Sequence, residues 1–166
     1  MLYTVDYPSP LGMITLVSDE THLIGAWLES QKYFAATLTE VPQQSPAHPV
    51  LHMAAQWLDH YFAGQKPDPR SLPLRPGGSP FRQQVYNILL SIPYGETMTY
   101  GEIAKKLAAG NAIGSARAVG GAVAHNPISV IIPCHRVIGS GGKLTGYAGG
   151  LDRKIALLRH EGVAGV

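Results

Sequence analysis

Between Gln65 and Pro80 the chain carries five prolines and two glycines. Such a stretch continues neither a helix nor the interior of a sheet, because each proline lacks the amide that both ladders use and fixes its own φ. It marks a linker or a long connection, and a domain boundary is placed there. The reading is an N-terminal domain, 1–78, whose tail 65–78 is the proline-rich linker, and a C-terminal domain, 79–166. A length of 166 residues fits one domain or two small ones. Charge follows the same division: residues 1–80 hold four Lys/Arg against seven Asp/Glu, whereas 81–166 hold nine against four. A basic second half suits contact with a polyanion, and equally suits an ordinary solvated surface.

Residues 2–7 (LYTVDY), 12–17 (GMITLV) and 22–28 (HLIGAWL) are rich in β-branched and aromatic residues and are separated by Pro8-Ser9-Pro10 and Ser18-Asp19-Glu20, which predicts an antiparallel meander. Over 48–62 the apolar positions Leu51, Ala54, Trp57, Leu58, Tyr61 and Phe62 recur at helical spacing and stop at Gly64. That helix would cover the sheet. In the second half Ser79 and Pro80 open a helix with Phe81, Val85, Ile88, Leu89 and Ile92 on its apolar face. Thr99 and Glu102 have capping-box spacing, so a further helix is expected from about Tyr100 to Leu107, ahead of the turn at Gly110-Asn111. Another starts near Ser115, and a last one carries Leu151, Ile155 and Leu158 and ends at Gly162. The helix after Ser115 reads SARAVGGAVAHNP, with almost no side-chain bulk around Arg117. Two readings stand for it: tight packing between helices, or a helix pressed into a DNA groove with one cation projecting. Its two mid-helix glycines each cost up to about 1 kcal/mol relative to alanine, which close approach would offset.

The composition, 45% hydrophobic and 14% charged, is that of a folded globular chain. No apolar run approaches the roughly 20 residues of a membrane span, and the opening MLYTVDYPSPLG lacks the regions of a secretory signal. The expectation is a soluble, cytoplasmic protein. Its single cysteine, Cys134, forms no internal disulfide and no thiolate-built zinc site, so it is either a buried core atom or a reagent. His48 and His52 are spaced i,i+4, but without further ligands they do not make a metal site. A buried extended run, Ile128 to Ile132, leads into Pro133-Cys134-His135-Arg136. A thiol attacks as its thiolate, which adjacent cations or a hydrogen-bonded base favour. Adjacency in sequence alone does not bring those side chains together.

Pro133-Cys134-His135-Arg136-Val137 resembles the active-site signature of the O6-alkylguanine-DNA alkyltransferases of bacterial type. Asn126-Pro127, the 128–132 run, Tyr147-Ala148-Gly149-Gly150 and His160-Glu161-Gly162 stand at that family's spacing from the cysteine, and Arg117-Ala118-Val119-Gly120-Gly121 is similar to its DNA-binding helix. The match is close over about 79–162 and holds only in outline before that. The resemblance implies an α+β fold: a small N-terminal α/β domain of ribonuclease-H-like topology, and a mostly α-helical C-terminal domain with a winged-helix-type helix-turn-helix. It implies that Cys134 is the nucleophile, His135 the base that reaches it through a water, Glu161 the carboxylate orienting that histidine, and Asn126 the brace of the turn before the active-site segment. Arg117 corresponds to the family's arginine finger, which replaces an extruded nucleotide in the base stack. Tyr100 helps turn the nucleotide out and donates to the guanine ring, while Tyr147 and Ala148 line the pocket. Ala118, Gly120, Gly121 and Arg136 fall among the DNA-facing positions.

The implied reaction is stoichiometric transfer of a methyl or larger alkyl group from O6-alkylguanine, and on some substrates O4-alkylthymine, to Cys134 on a flipped-out base, with no cofactor and no metal. The partner is double-stranded DNA containing the lesion, met by a monomer of which several copies could load along one duplex. Two other readings of the residues stand beside this one: a lesion-binding sensor without chemistry, and a cysteine hydrolase using Cys134 and His135. The chain departs from the family pattern in three places. The stretch 108–114 is longer than the usual turn between the two DNA-contacting helices, Ala148 stands where some members carry Ser, and Ser129 and Val123 stand where some use Pro and Met.

Overall fold

The computed structural model describes residues 1–110 and 114–166, which separate into two compact units. The longer turn expected at 108–114 thus lies partly outside the described residues. The first unit comprises Met1–Gly77 and Pro127–Ile131, the second Gly78–Asn126 and Ile132–Val166. Five residues of the second half, 127–131, thus group with the first unit.

In the first unit, β1 (Tyr3–Ser9), β2 (Gly12–Ser18) and β3 (Leu23–Leu28) pair antiparallel in sequence order, and a short β4 (Gln43–Gln44) joins β1 in parallel, giving the order β3-β2-β1-β4. Alternation sends Ile14 and Leu16 of β2 to a fully buried face. Helix α1 (Pro49–Phe62) lays Leu51, Ala54, Trp57, Leu58 and Tyr61 inward, and His48 caps it by accepting from the Val50 amide. His48 is thereby occupied at the helix end, with its ring stacked on Tyr3. The proline-rich stretch is an ordered strap: Trp57 Nε1 donates to the Asp68 carbonyl at 3.0 Å, and the Leu23 amide donates to Pro73 at 2.7 Å while Arg75 donates back to Leu23 at 2.9 Å. Residues 127–131 join β3 further along, where the Ala26 amide donates to Pro127 and the Ser129 amide to Ala26, each at 2.8 Å.

In the second unit, α2 (Pro80–Leu90), α3 (Tyr100–Ala109) and α4 (Ala116–Ala124) pack on one another, and α5 (Leu151–His160) follows the glycine-rich loop. Strands β5 (Met98–Thr99) and β6 (Val137–Ile138) form a small parallel pair. The helix starts follow their sequence signals. Ser79 accepts from the Arg82 amide, Thr99 and Glu102 complete a reciprocal capping box, and Ser115 accepts from the Ala118 amide. The architecture is α+β, with a sheet-bearing N-terminal unit and a mostly helical C-terminal one. Among the described residues no helix is long and apolar enough to cross a membrane.

The expected extended run Ile128–Ile132 is buried but is not a strand. Val130 has φ +70°, and the Ile131 amide donates to the Ser129 carbonyl at 2.8 Å, which is a γ-turn of the rarer, strained hand. Pairing with β3 therefore stops after one bridge, Ala26 to Ile128.

Gly25 explains how Trp27 packs against Leu2 and Val17. A Cβ at Gly25 would lie 2.1 Å from the indole Cζ3 of Trp27, two residues along on the same face of β3. Gly25→Ala is expected to lower stability to urea by about 1–3 kcal/mol through overpacking. Gly101→Ala, whose added methyl meets nothing nearer than 3.9 Å, should be neutral or slightly stabilising. Equal urea midpoints for the two variants would refute the packing argument.

Candidate functional site

Cys134 opens a 3-10 turn, Cys134–Arg136. The turn before it is centred on Pro133 (φ −80°, ψ 63°), an inverse γ-turn closed by the Cys134 amide donating to the Ile132 carbonyl at 2.8 Å. Proline suits this position because its ring fixes the required φ. Asn126, 3% exposed, donates from Nδ2 to the same Ile132 carbonyl at 2.9 Å, so both ends of the segment close on one oxygen. The Asn126 side chain also hydrogen-bonds the thiol.

Behind the cysteine, His135 is fully buried and its Nε2 lies 2.6 Å from Glu161 Oε2. With Nε2 donating to the carboxylate, the lone pair of the neutral ring falls on Nδ1, which is buried and has no protein partner among the described residues. Burial lowers the pKa of His135 below the usual imidazole value, against the opposing pull of Glu161. Glu161 follows the end of α5 and is met from three sides. Arg136 donates from Nε at 2.8 Å and from Nη2 at 3.2 Å, and the Gly95 amide donates at 3.0 Å. Burial alone would raise the Glu161 carboxyl, but the hydrogen bonds and charges of His135 and Arg136 outweigh it and hold it well below the usual carboxylate range.

Arg136 does not belong with the DNA-facing residues. It is 7% exposed, its Nη1 donates to the Ile92 carbonyl at 2.7 Å, and its guanidinium lies over the Tyr94 ring. A buried guanidinium is stable only when its donors are occupied, and Glu161 with Ile92 occupies them. Gly95 makes the convergence possible. It sits at φ +80° in a turn closed by Glu96 donating to Pro93, and a Cβ there would come within 3.1 Å of the Glu161 carbonyl oxygen.

The thiol's surroundings oppose one another. Burial pushes Cys134 up, while the hydrogen bond from Asn126, the charge of Lys154 and the nearby Tyr147 hydroxyl pull it down without overcoming burial. The Tyr147 hydroxyl is buried and raised well above its ordinary pKa by that burial and by the neighbouring Cys134. Ala148 follows it, half-buried. Lys154 is fully buried; its ammonium donates to the carbonyls of Val137, Thr145 at 2.8 Å and Gly146 at 3.2 Å, and burial lowers its pKa to about 8. Sequence reasoning missed Lys154 and Gly95. A lysine in a helix reads as surface, although the apolar Ile155, Leu157 and Leu158 beside it hint at an inward face.

The remaining expected residues lie on or beside α3 and α4. Tyr100, the first residue of α3, is half-buried, and burial raises its hydroxyl above the ordinary pKa. Arg117, Ala118 and Gly121 are exposed, whereas Val119, Ala122 and Val123 face the core. A Cβ at Gly120 would meet only the Tyr100 ring, at 3.9 Å, and one at Gly121 would meet nothing. Helix packing therefore does not account for Gly121.

The buried cluster sets a pH dependence. His135 and Glu161 both have folded pKa values below their unfolded ones, so each contributes stability that is complete above its unfolded pKa and is lost as pH falls toward the folded value. Urea stability is expected to decline first below about pH 6.5, through His135, and further below about pH 4.3, through Glu161. Glu161→Gln should cost about 3 kcal/mol at neutral pH, because Arg136 loses its buried counter-charge, and should flatten the lower limb. A variant as stable as the parent, with an unchanged acid profile, would contradict this account.

Two family descriptions match the sequence: the DNA binding domain of 6-O-methylguanine DNA methyltransferase over residues 80–163 and the ribonuclease-like domain of the same methyltransferase over 1–76. The methylated-DNA–protein-cysteine methyltransferase of Mycolicibacterium paratuberculosis is 45% identical over 161 residues, covering 95% of this chain and 90% of that protein. The protein of the same name from Methanosarcina acetivorans is 41% identical over 175 residues, covering 97% and 99%. Among solved structures, the O6-methylguanine methyltransferase of Mycobacterium tuberculosis superposes with a TM-score of 0.81 at 43% identity, covering 97% of this chain and 93% of that one. An OGT of the same organism in complex with DNA gives 0.80 at 43% identity, covering 96% and 91%. With both halves matched and such identity along nearly the whole chain, this protein belongs to the 6-O-methylguanine DNA methyltransferase family.

Proposed function

We propose that this protein repairs alkylated DNA by moving a methyl or larger alkyl group from the O6 atom of guanine onto the Cys134 sulfur, once per molecule. The reading is supported above all by the surroundings of the buried thiol, with Asn126 and the Tyr147 hydroxyl near it and, behind the cysteine, the His135–Glu161 pair. His135, neutral and with its Nδ1 lone pair free, takes the thiol proton through a bridging water. Glu161 stabilises the imidazolium that forms, and Arg136 keeps Glu161 ionised. The thiolate attacks the alkyl carbon in line, an S–C bond forms, the C–O6 bond breaks, and the electron pair passes into the guanine ring. The Tyr100 hydroxyl donates to that ring as it leaves. A thioether is not cleaved by any group at this site, so the protein is consumed.

An O6-alkyl carbon inside a duplex cannot be reached by a buried thiol, so the nucleotide must leave the stack. Arg117 on the exposed face of α4 fills the gap, and Ala118, Gly120 and Gly121 let the helix approach the minor groove closely. Tyr147 and Ala148 line the pocket that receives the base. The protein works as a monomer on double-stranded DNA, several copies being able to load along one duplex, and we place it in the cytoplasm. The chain is divided for this work at 78/79, with the acceptor and the DNA-facing helices on the C-terminal side.

Intact-protein mass spectrometry after incubation with a duplex carrying one O6-methylguanine is expected to show one added methyl on the parent, saturating at one per molecule, and none on Cys134→Ser. Tight lesion binding without added mass would favour a sensor, and repeated turnover on an ester or amide would favour a hydrolase.

Arg117→Ala is expected to lower the transfer rate from duplex DNA by roughly 10–100-fold, the scale set by a few kcal/mol of extrusion cost, while sparing transfer from the free base. Affinity for undamaged duplex should fall by at least about tenfold between 50 and 200 mM salt. Salt-independent binding, or equal losses on duplex and free base, would refute the groove-binding role.

A further inference from the structure

The second unit holds every residue assigned above to alkyl transfer, yet the three residues before Pro133 begin in the first unit. Residues 127–131 are held there by three hydrogen bonds to the rest of the unit and shaped by one of their own, the third of the four that follow. Two are the 2.8 Å bonds between Ala26 and the Pro127 and Ser129 backbones. The third closes the γ-turn at Val130, from the Ile131 amide to Ser129. The fourth is a side-chain bond, Ser129 Oγ donating to Gln31 Oε1 at 3.0 Å.

Gln31 has features of a built support. It is 6% exposed and Ser129 is 3% exposed. Its Oε1 also accepts from the Leu28 amide at 2.7 Å, its side-chain Nε2 donates to the Lys32 carbonyl at 3.4 Å, and the Gln31 backbone amide donates to the Leu28 carbonyl at 3.1 Å. The side chain is thus anchored to the end of β3 before it reaches Ser129. What it holds is strained: a β-branched residue at φ +70° costs on the order of 1–3 kcal/mol and persists only where its surroundings over-determine it. Beyond Ile131 the backbone enters the second unit and reaches Cys134 after Ile132 and Pro133, the latter with a fixed φ. Few rotatable bonds separate the strained turn from the sulfur.

We infer that Gln31 is a positioning residue for alkyl transfer: it clamps Ser129, maintains the Val130 turn, and thereby sets where Cys134 stands. The inference rests on the reading of Cys134 as the acceptor. It concerns rate at the sulfur and not DNA affinity, since an in-line displacement loses on the order of 10²-fold for a 1 Å misplacement.

The test is single-turnover methyl transfer from a duplex carrying one O6-methylguanine, with the rate constant at saturating protein and the duplex Kd measured separately for the parent, Gln31→Leu, Ser129→Ala and Gln31→Glu. Gln31→Leu removes the acceptor oxygen, Ser129→Ala removes a single hydroxyl and keeps the fold where the larger change does not, and Gln31→Glu preserves an oxygen for both donors. The expected result is a saturated rate lowered about tenfold, well within the range of a sub-ångström displacement, in Gln31→Leu and Ser129→Ala. Their Kd should stay within about twofold of the parent, their endpoint should remain one methyl per protein, and Gln31→Glu should be near the parent rate. Parent-like rates in Ser129→Ala, a loss confined to Kd, or Gln31→Glu as slow as Gln31→Leu would overturn the inference while leaving the acceptor reading intact. Absence of methyl on the parent itself would overturn both.

Discussion

His135, Arg136 and Gly95 all donate to the carboxylate of Glu161, and the rest of the second unit's interior is arranged to keep that carboxylate ionised out of water. A buried carboxylate with one partner would be protonated or would destabilise the fold. Here the guanidinium supplies charge, the backbone amide supplies a donor with no side chain of its own to bury, and the imidazole completes the set. Each donor is then constrained in return. Arg136 is withdrawn from any surface role, Gly95 must hold a left-handed backbone conformation, and His135 is fixed in the tautomer that leaves Nδ1 open. The tautomer is the functional consequence, and the other contacts are what make it stable.

The same economy shapes the thiol. Burial at 3% exposure disfavours the thiolate, and the neighbouring donors only moderate that effect. A thiol so placed is protected from the solvent oxidants and electrophiles that would consume an exposed one, which matters for a group that is used once. In the proposed reaction, reactivity arrives with the substrate, when the thiol proton passes to His135. Lys154 adds a positive charge near this point, and three carbonyl oxygens satisfy its ammonium, so it ties the loop before Tyr147 to the strand that follows Arg136 while biasing the field toward the anion.

Legibility in the sequence divides along a physical line. Features governed by residues a few positions apart could be read directly: the Thr99–Glu102 capping box, the Ser79 and Ser115 caps, the α1 stripe from Leu51 to Tyr61, and the meander set by the turns at Pro8–Pro10 and Ser18–Glu20. The pairing of His135 with Glu161, 26 residues apart, was legible only through the resemblance, because nothing in local spacing brings a helix-end carboxylate to a histidine. Arg136 was misread for the same reason: beside a reactive cysteine a cation looks available, and its burial depends on Ile92 and Glu161, distant in sequence. The γ-turn at Val130 left no trace either. A run of Ile, Val and Ile has strand propensity, yet it pairs with β3 at a single bridge and turns at Val130.

The exposed face of α4 completes the physical picture by contrast with the interior. Two glycines inside a nine-residue helix cost up to about 1 kcal/mol each relative to alanine, and at Gly121 no neighbour within 4 Å recovers any of it. The fold therefore gains nothing from glycine at that position, and alanine would have been the better helix former. A stability cost without packing benefit, beside an exposed arginine and within 4 Å of the Tyr100 ring through Gly120, is what a surface requires when its partner must come nearer than a methyl group allows. A narrow, rigid, negatively charged groove is such a partner, and a protein partner with adaptable side chains would impose no such limit at two successive positions.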